Sequence, residues 1–345
     1  MKHLKSLCDF NNTLTFCLFI LIQLVVISSA IAQTSKKKIS PWYIYKEGNS
    51  FADVEPLKDI MSSISVFGNP PKEFIDECHK NNIEVYHAVS GNEKTIDSPD
   101  KIKTVAKNYV DDCNSNGYDG IDLDFENLNP AFQNIYSDFL TEVSMALHKA
   151  GKKLSHCVGF YPTLFQDAVP KIFYNPKVIA TTCDLVRVMC YDMYFAPGRS
   201  DKNTLTRDDC QGIGPTSNYS WTKDAMKFWI KYVPKTKLIM ALPAYSNDYT
   251  MNLIGTGKQV YASVPDSVKG VLQSPIWLWY EKLNIYLYDD LEGNTHLFYA
   301  SDQRSTGALL DIGNELDINT IGFWHLGSVD PKMWDVVKEW INKQD

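Results

Sequence analysis

The stretch Asp119-Gly120-Ile121-Asp122-Leu123-Asp124-Phe125-Glu126 alternates strictly once past Gly120. Ile121, Leu123 and Phe125 are apolar, and Asp122, Asp124 and Glu126 are acids. A period of two is that of a β-strand, whose successive side chains leave opposite faces. One face is greasy enough to lie under a helix. The other carries three carboxylates, neighbours about 7 Å apart. Asp and Glu are poor strand formers, and like charges in a row raise one another's pKa values. Folding gains nothing from the arrangement, so chemistry is the better reason for it. A solvated edge strand would also alternate in this way. A calcium site would use oxygen ligands too, but calcium loops need turn backbone and more of them. The favoured reading is a carboxylate cluster inside a barrel.

Working outward, strand-like runs fall at 40–45, 63–67, 83–88, 120–125, 153–160, 185–191, 237–244 and 320–324. Helical patterns lie between them at 71–81, 100–115, 134–150, 221–233 and 303–315, and 331–342 follows the last strand. Eight such units in alternation predict an α/β chain closed into a parallel (β/α)8 barrel. The spacing breaks after strand seven. There 285–288 and 296–299 flank Asp289-Asp290-Leu291-Glu292-Gly293-Asn294, which reads as a hairpin. An insertion of roughly residues 246–301 is therefore expected on the C-terminal rim, where barrel active sites are built. Its many aromatic residues are expected to fill a small core of their own.

The helices outside the barrel need apolar contacts, so Ile121, Leu123 and Phe125 should point outward. Asp122, Asp124 and Glu126 then climb the lumen, with Glu126 at the mouth. Hydrolysis of a glycoside needs a carboxylic acid that protonates the leaving oxygen there, and acids beneath Glu126 would help keep it protonated. On strand six Met189 and Tyr191 share one face, and Val186, Val188 and Cys190 take the other. Arg187 is in phase with Met189 and Tyr191. A guanidinium inside the barrel needs a carboxylate partner, so it is expected to pair with Asp122 or Asp119 and to bias which lower acid carries the proton; the alternative is that strand six starts later and Arg187 lies at the wet bottom of the barrel. Trp324 shares a face with Gly322 and Thr320.

These residues resemble the signature of glycoside hydrolase family 18, the chitinase-like barrels. Asp119, Asp122, Asp124 and Glu126 fill the acids of D-x-x-D-x-D-x-E. Met189-Cys190-Tyr191-Asp192 resembles Met-x-Tyr-Asp, and Gly322-Phe323-Trp324 stands where the family has a Trp under the reactive sugar. The insertion and C-terminal segment look most like the di-N-acetylchitobiase branch. The resemblance implies retaining, substrate-assisted hydrolysis of β-1,4 N-acetylglucosamine linkages in chitin, chito-oligosaccharides or chitobiose cores. Glu126 would be the proton donor. Asp124 would hold the acetamido N–H and Asp122 would share its proton. Tyr191 would hydrogen-bond the acetamido group, and Asp192 would hold the sugar. Trp324, Met189, Tyr245 and Tyr45 would line the substrate site; phase does not choose between Tyr45 and Tyr43. The Ser-x-Gly-Gly of strand three survives only as Ser90-Gly91, and Ala244 before Tyr245 is smaller than the family's aromatic. The short insertion suggests an open cleft and short oligosaccharides. An endo-acting enzyme on N-glycans or peptidoglycan, and a non-catalytic chitin-binding lectin, are the alternatives; family lectins lose the proton donor that Glu126 supplies.

The N-terminus bounds the setting. Residues 1–32 read as a secretory signal peptide, with basic Lys2, His3 and Lys5, an apolar run over 14–27, and Ala30-Ile31-Ala32 for cleavage. An uncleaved anchor is the alternative, though the run is short for a span. Cleavage leaves a 33–345 catalytic barrel, secreted or in a lumenal, lysosome-like compartment. The formal charge of -7 becomes -8 once Lys2, Lys5 and Asp9 are gone. Such a surface argues against nucleic acid and anionic membranes as partners and is indifferent to a neutral N-acetylglucosamine-containing saccharide. A monomer is expected. Cys78, Cys113, Cys157, Cys183, Cys190 and Cys210 form an even set that permits disulfides. Their spacing has no zinc signature, so neither metal nor cofactor is expected. Asn218-Tyr219-Ser220 is a glycosylation sequon on an apparent loop.

Overall fold

The computed structural model describes residues 36–159, 172–194, 213–251, 257–262, 274–327 and 330–343. The proposed signal peptide and Cys210 lie outside them. Nine parallel strands curl into one sheet. They are β1 (Lys38–Ile39), β2 (Trp42–Ile44), β3 (Ser63–Phe67), β4 (Glu84–Val89), β5 (Gly120–Leu123), β6 (Lys153–Val158), β7 (Leu185–Met189), β8 (Leu238–Pro243) and, last in the chain, β14 (Thr320–Trp324), in the order β1-β14-β8-β7-β6-β5-β4-β3-β2. β1 and β2 are one stave of the barrel interrupted at Ser40-Pro41. Its first half pairs with β14 and its second with β3, and Tyr43 bridges to Leu326. The two ends of the sheet therefore meet, which makes eight staves closed on themselves as expected. The interruption costs little hydrogen bonding, because the Pro41 carbonyl still accepts from Ser65 N at 3.0 Å and the Trp42 carbonyl from Leu326 N at 2.8 Å.

The helices are α1 (Lys72–Lys80), α2 (Glu93–Ile96), α3 (Pro99–Asn116), α4 (Gln133–Lys149), α5 (Pro176–Thr182), α6 (Tyr219–Ile230), α7 (Gln303–Leu316) and α8 (Pro331–Asn342). α5 escaped the sequence reading, although its start is written locally: Asn175 accepts from Lys177 N, and Pro176 takes the first turn. Between helices and barrel lies the main apolar core, and strand phase decides what enters it. Ile121, Leu123 and Phe125 are buried there, with the Phe125 ring 5.7 Å from Tyr136 and 5.3 Å from Phe139 of α4. Val186, Val188 and Cys190 take the same side on β7.

The insertion is a second, antiparallel sheet: β9 (Ser246–Thr250), β10 (Gly257–Val260), β11 (Ile276–Leu278), β12 (Leu283–Asp289) and β13 (Thr295–Ala300), ordered β10-β9-β13-β12-β11. β12 and β13 form the expected hairpin. Asp290 Oδ1 closes its turn by accepting from Glu292 N at 3.0 Å and Asn294 N at 2.8 Å. The aromatics Tyr286, Tyr288 and Phe298 make a satellite core, while Trp279 and Tyr280 stand exposed.

Two sequence expectations change. The five described cysteines, Cys78, Cys113, Cys157, Cys183 and Cys190, are free thiols and all buried. They lie on separate elements and form no bridges; Cys78, Cys113 and Cys190 pack as small apolar groups. Asn218 is not on an open loop. It is buried at the N-cap of α6, with its side-chain oxygen accepting from Trp221 N at 2.9 Å, so its amide is committed to the helix.

Gly120 opens β5 where the β6 backbone comes closest. A Cβ there would stand well inside contact distance of the Lys153 carbonyl oxygen and 2.9 Å from the Tyr86 ring. Backbone cannot yield as a side chain can. Gly120→Ala is expected to lower unfolding stability by about 1–3 kcal/mol, read as a fall in the urea midpoint; an unchanged midpoint would show that the β5–β6 pairing gives way freely.

Candidate active site

The lumen of the barrel is polar at its middle depth, where parallel barrels usually carry branched aliphatic residues. Ser40, Ser63, Ser65, Asp122, Ser155 and Arg187 are all buried inside it. Asp122 is the hub. Its Oδ2 accepts from Trp42 Nε1 at 2.9 Å and Ser65 Oγ at 2.5 Å. Arg187 Nε lies 3.3 Å from the same oxygen, and both side chains of the pair are 0% exposed. Cys157 Sγ reaches it at 3.6 Å. Arg187 also donates from Nη1 to the Ser40 carbonyl at 2.8 Å and from Nε to Ser155 Oγ at 3.1 Å, with its guanidinium 5.2 Å from the Trp42 ring centre. The pairing expected for Arg187 is therefore formed, and its partner is Asp122. Asp119 lies elsewhere. Its Oδ2 accepts from Val85 N at 2.7 Å and faces His79 at 2.9 Å on the outside of the strand.

Above Asp122 stand Asp124 and Glu126. Burial first, then the charges of Glu126 and Asp122, push the Asp124 carboxyl up from 3.8 to about 7. Glu126 and the Cys157 thiol bear directly on the Asp124 carboxyl, Glu126 pushing its pKa up and the thiol pulling it down. The chain around Glu126 is exposed at the mouth, yet protein crowding its carboxyl raises its pKa, and Asp192 adds to the rise. Two carboxyls crowded together resist losing both protons, so Asp124 and Glu126 titrate as a pair. Asp122 acts on Asp124 through its charge, which raises the Asp124 pKa. Asp122 Oδ1 has no hydrogen-bond partner among the described residues, because the donors and the guanidinium converge on Oδ2.

β7 ends at Met189, and the next residues turn into the cup. Asp192 takes a left-handed backbone, φ 57°, which a short polar side chain tolerates. By this turn Tyr191 and Asp192, adjacent in sequence, both reach the mouth. Asp192 Oδ1 accepts from the Tyr245 hydroxyl and from Gln259 Nε2 at 3.1 Å. Burial raises the pKa of Asp192, and those two hydrogen bonds pull it back. The Tyr191 ring lies 6.3 Å from Tyr245 and 6.5 Å from Trp324, nearly parallel to the latter at 29°. Trp324 meets Trp42 at 5.8 Å and Phe67 at 5.5 Å, both edge-on. Met189 joins the same lumen cluster. The result is an aromatic floor with a carboxylic acid at its edge.

Of the residues read from the sequence, Glu126, Asp124, Asp122, Tyr191, Asp192, Trp324, Met189 and Tyr245 come together here. Tyr45 does not. Its ring packs 5.8 Å from Phe74 of α1 and 6.4 Å from Tyr43, and its hydroxyl bonds the Asn49 carbonyl. Tyr43 is likewise outside, bonded to Asp53. Strand one presents Trp42 to the lumen instead, and the serines of β3 in phase with it were the available signal. Gln259 and Tyr261 of the insertion also reach the cup, Tyr261 5.7 Å from Tyr245 and 5.5 Å from His325; nothing local in the sequence announces them. Ser90-Gly91 has a packing role, since a Cβ on Gly91 would run into the Phe125 ring.

The folded protein keeps a proton on Asp124 at pH values where the unfolded chain has lost it, so this group's contribution falls as pH rises from about 4 towards 7. Asp124→Asn removes that dependence. It is expected to stabilise the fold by about 1–3 kcal/mol at pH 8 and by little at pH 4, measured as the difference in chemical-denaturation midpoints at the two pH values. Equal effects at both would refute the raised pKa.

The family model of glycosyl hydrolases family 18 matches residues 30–328. Among curated relatives, the chain is 21% identical over 287 residues to the uncharacterized glycosylase YvbX of Bacillus subtilis, covering 79% of this chain and 80% of that one. It is 22% identical over 237 residues to the cortical fragment-lytic enzyme of the same organism, covering 68% and 52%. The chain spans about half the length, 54% and 52%, of two of the curated relatives it matches. Among solved structures, a chitinase from Chromobacterium violaceum superposes with a TM-score of 0.74 at 19% identity, over 89% of this chain and all of that one. The Bacillus megaterium spore cortex-lytic enzyme SleL does so at 0.69 and 16%, over 89% and 75%. The fold is shared with both, and the chain belongs to glycosyl hydrolases family 18.

Proposed function

We propose that this protein is a retaining glycoside hydrolase that cleaves β-1,4 linkages of N-acetylglucosamine with the help of the substrate's own acetamido group. The observation that carries this is the acid column itself: Asp122 paired with Arg187 at 3.3 Å inside the barrel, and above it Asp124 and Glu126, whose burial raises the pKa values of both. In the reaction the proton passes from Glu126 to the glycosidic oxygen as its bond to carbon one breaks. The acetamido oxygen forms the new bond to carbon one, giving a cyclic oxazolinium ion. Asp124, left as a carboxylate, faces the acetamido N–H that now carries positive charge. Tyr191 hydrogen-bonds the acetamido group. Asp192, oriented by Tyr245 and Gln259, holds the sugar, which lies on Trp324. Glu126 then takes a proton from water, whose oxygen opens the ring and restores the configuration. No enzyme carboxylate attacks carbon one, and glycoside hydrolases of this family depart from the two-carboxylate scheme in this respect.

A second reading differs only in substrate. Relatives are named as a cortical fragment-lytic enzyme and a spore cortex-lytic enzyme, which favours peptidoglycan glycan strands, also rich in N-acetylglucosamine. We place the reaction outside the cell or in a lumen, following the leader-like residues 1–32. The presence of Glu126 argues against a lectin that only binds.

Glu126→Gln is expected to lower kcat on a chromogenic chitobioside by about 10²–10⁴-fold while leaving saccharide binding in place. Undiminished hydrolysis would reject the assignment. The unmutated rate should fall as pH rises through about 7, where the Asp124–Glu126 pair loses its proton; a rate still rising above pH 8 would contradict it. Product analysis on chitin oligomers and on peptidoglycan strands separates the two substrate readings.

A further inference from the structure

We infer that Arg187 is a positioning residue: by keeping Asp122 ionised at the bottom of the acid column, it confines the single mobile proton to Asp124 and Glu126. This deepens the proposed function and rests on it for its catalytic meaning. The juxtaposition itself stands in the free protein.

The geometry is that of a dedicated counter-ion. Arg187 Nε and Asp122 Oδ2 are 3.3 Å apart with both side chains wholly buried. A buried pair of this kind is a poor device for stability, because desolvation offsets most of the attraction. Nor is this one optimised for stability, since Arg187 Nη2 and Asp122 Oδ1 both lack hydrogen-bond partners. What the pair does is fix a charge. Apart from the Glu84–Lys153 ion pair, the groups it faces on the neighbouring staves are neutral. Trp42 and Ser65 on β2 and β3 only donate hydrogen bonds. On β6, burial pushes the Cys157 thiol well up and holds His156, on the outer face, down to about 4. On β4, burial keeps the Tyr86 hydroxyl protonated, and that hydroxyl is bonded to Glu84, itself paired with Lys153. From the β8 and β14 side come Ala241 and Gly322. Among the described residues Arg187 is therefore the one cation within ion-pair distance of Asp122.

The consequence runs up the column. An ionised Asp122 disfavours a second negative charge on Asp124, so the proton of the array stays at the top, where it can reach a leaving group. Without Arg187, Asp122 would be a buried, uncompensated carboxylate. It would take up a proton of its own and relieve Asp124 of its reason to keep one.

The test titrates the full chain without substrate, with ¹³C-labelled carboxyl groups followed by NMR and Asp122→Asn used to assign the Asp122 signal. In the unmutated protein, Asp122 is expected to stay ionised from about pH 5 to 8 while one proton leaves the Asp124–Glu126 pair. In Arg187→Met, Asp122 should titrate higher by about one unit or more, and the acid limb of kcat/KM should move up with it. Arg187→Lys should restore both. A structural role alone would lower yield or stability without moving either titration. If Asp122 titrates identically in Arg187→Met and the unmutated protein, the inference is overturned. If Arg187→Met does not fold, Arg187→Gln, which keeps hydrogen-bond donors and removes the charge, takes its place. The Asp124 titration should then fall by about one unit or more, and an unmoved Asp124 overturns the inference. The two proposals fail separately: an active Glu126→Gln rejects the mechanism, while unchanged carboxyl titrations beside an inactive Glu126→Gln reject the role of Arg187 alone.

Discussion

An arginine buried beside a single aspartate in the middle of a closed barrel sets the terms for everything above it. Arg187 and Asp122 are out of water, where charge interactions are least screened. Their neighbours are chosen accordingly. Ser40, Ser63, Ser65 and Ser155 put small hydroxyls where aliphatic side chains would otherwise pack, and Trp42 turns its indole N–H onto the carboxylate and its face towards the guanidinium. The barrel thus exchanges some apolar packing for a fixed charge at a known depth.

That charge gives the upper acids different tasks. Asp122, Asp124 and Glu126 leave the same strand at successive even positions and meet three environments. The lowest is clamped by donors and a cation. The middle one is half-buried without a cation beside it, and its carboxyl is pushed up to about 7. The highest lies at the opening, with Asp192 across from it. Environments that push neighbouring carboxyls apart in acidity are how one residue type comes to serve as acid, as charge stabiliser and as spectator within a few ångströms.

The insertion completes the cup and does not merely decorate it. Gln259 orients Asp192, and Tyr261 stacks towards Tyr245 and His325. The sheet that carries them is held by its own polar core. Asp248 accepts from the Tyr288 hydroxyl at 2.8 Å and faces His296 at 3.0 Å, and His296 in turn meets Asp290 of the hairpin turn at 3.1 Å. A rigid wall of this kind holds two side chains over the mouth that strand alternation could never have supplied.

Much of this was legible in the chain itself. Alternation along 120–126 assigns three side chains to one face and three to the other, because strand geometry leaves no third choice. The same rule put Arg187, Met189 and Tyr191 on one face, and a guanidinium on the inner face calls for a carboxylate partner. Where phase failed was at strand ends and between distant segments. It could not choose between Tyr43 and Tyr45, and both lie outside against Phe74, because Trp42 holds the inward position. It could not foresee that a left-handed residue would swing Asp192 beside Tyr191. Nor could it tell that the donors around Asp122 would converge on a single oxygen. Sequence by itself determined which residues share a face, for that is a local property of the backbone. Only the closed barrel decided which of them touch and which acid keeps the proton, because these depend on distances and burial across strands far apart in the chain.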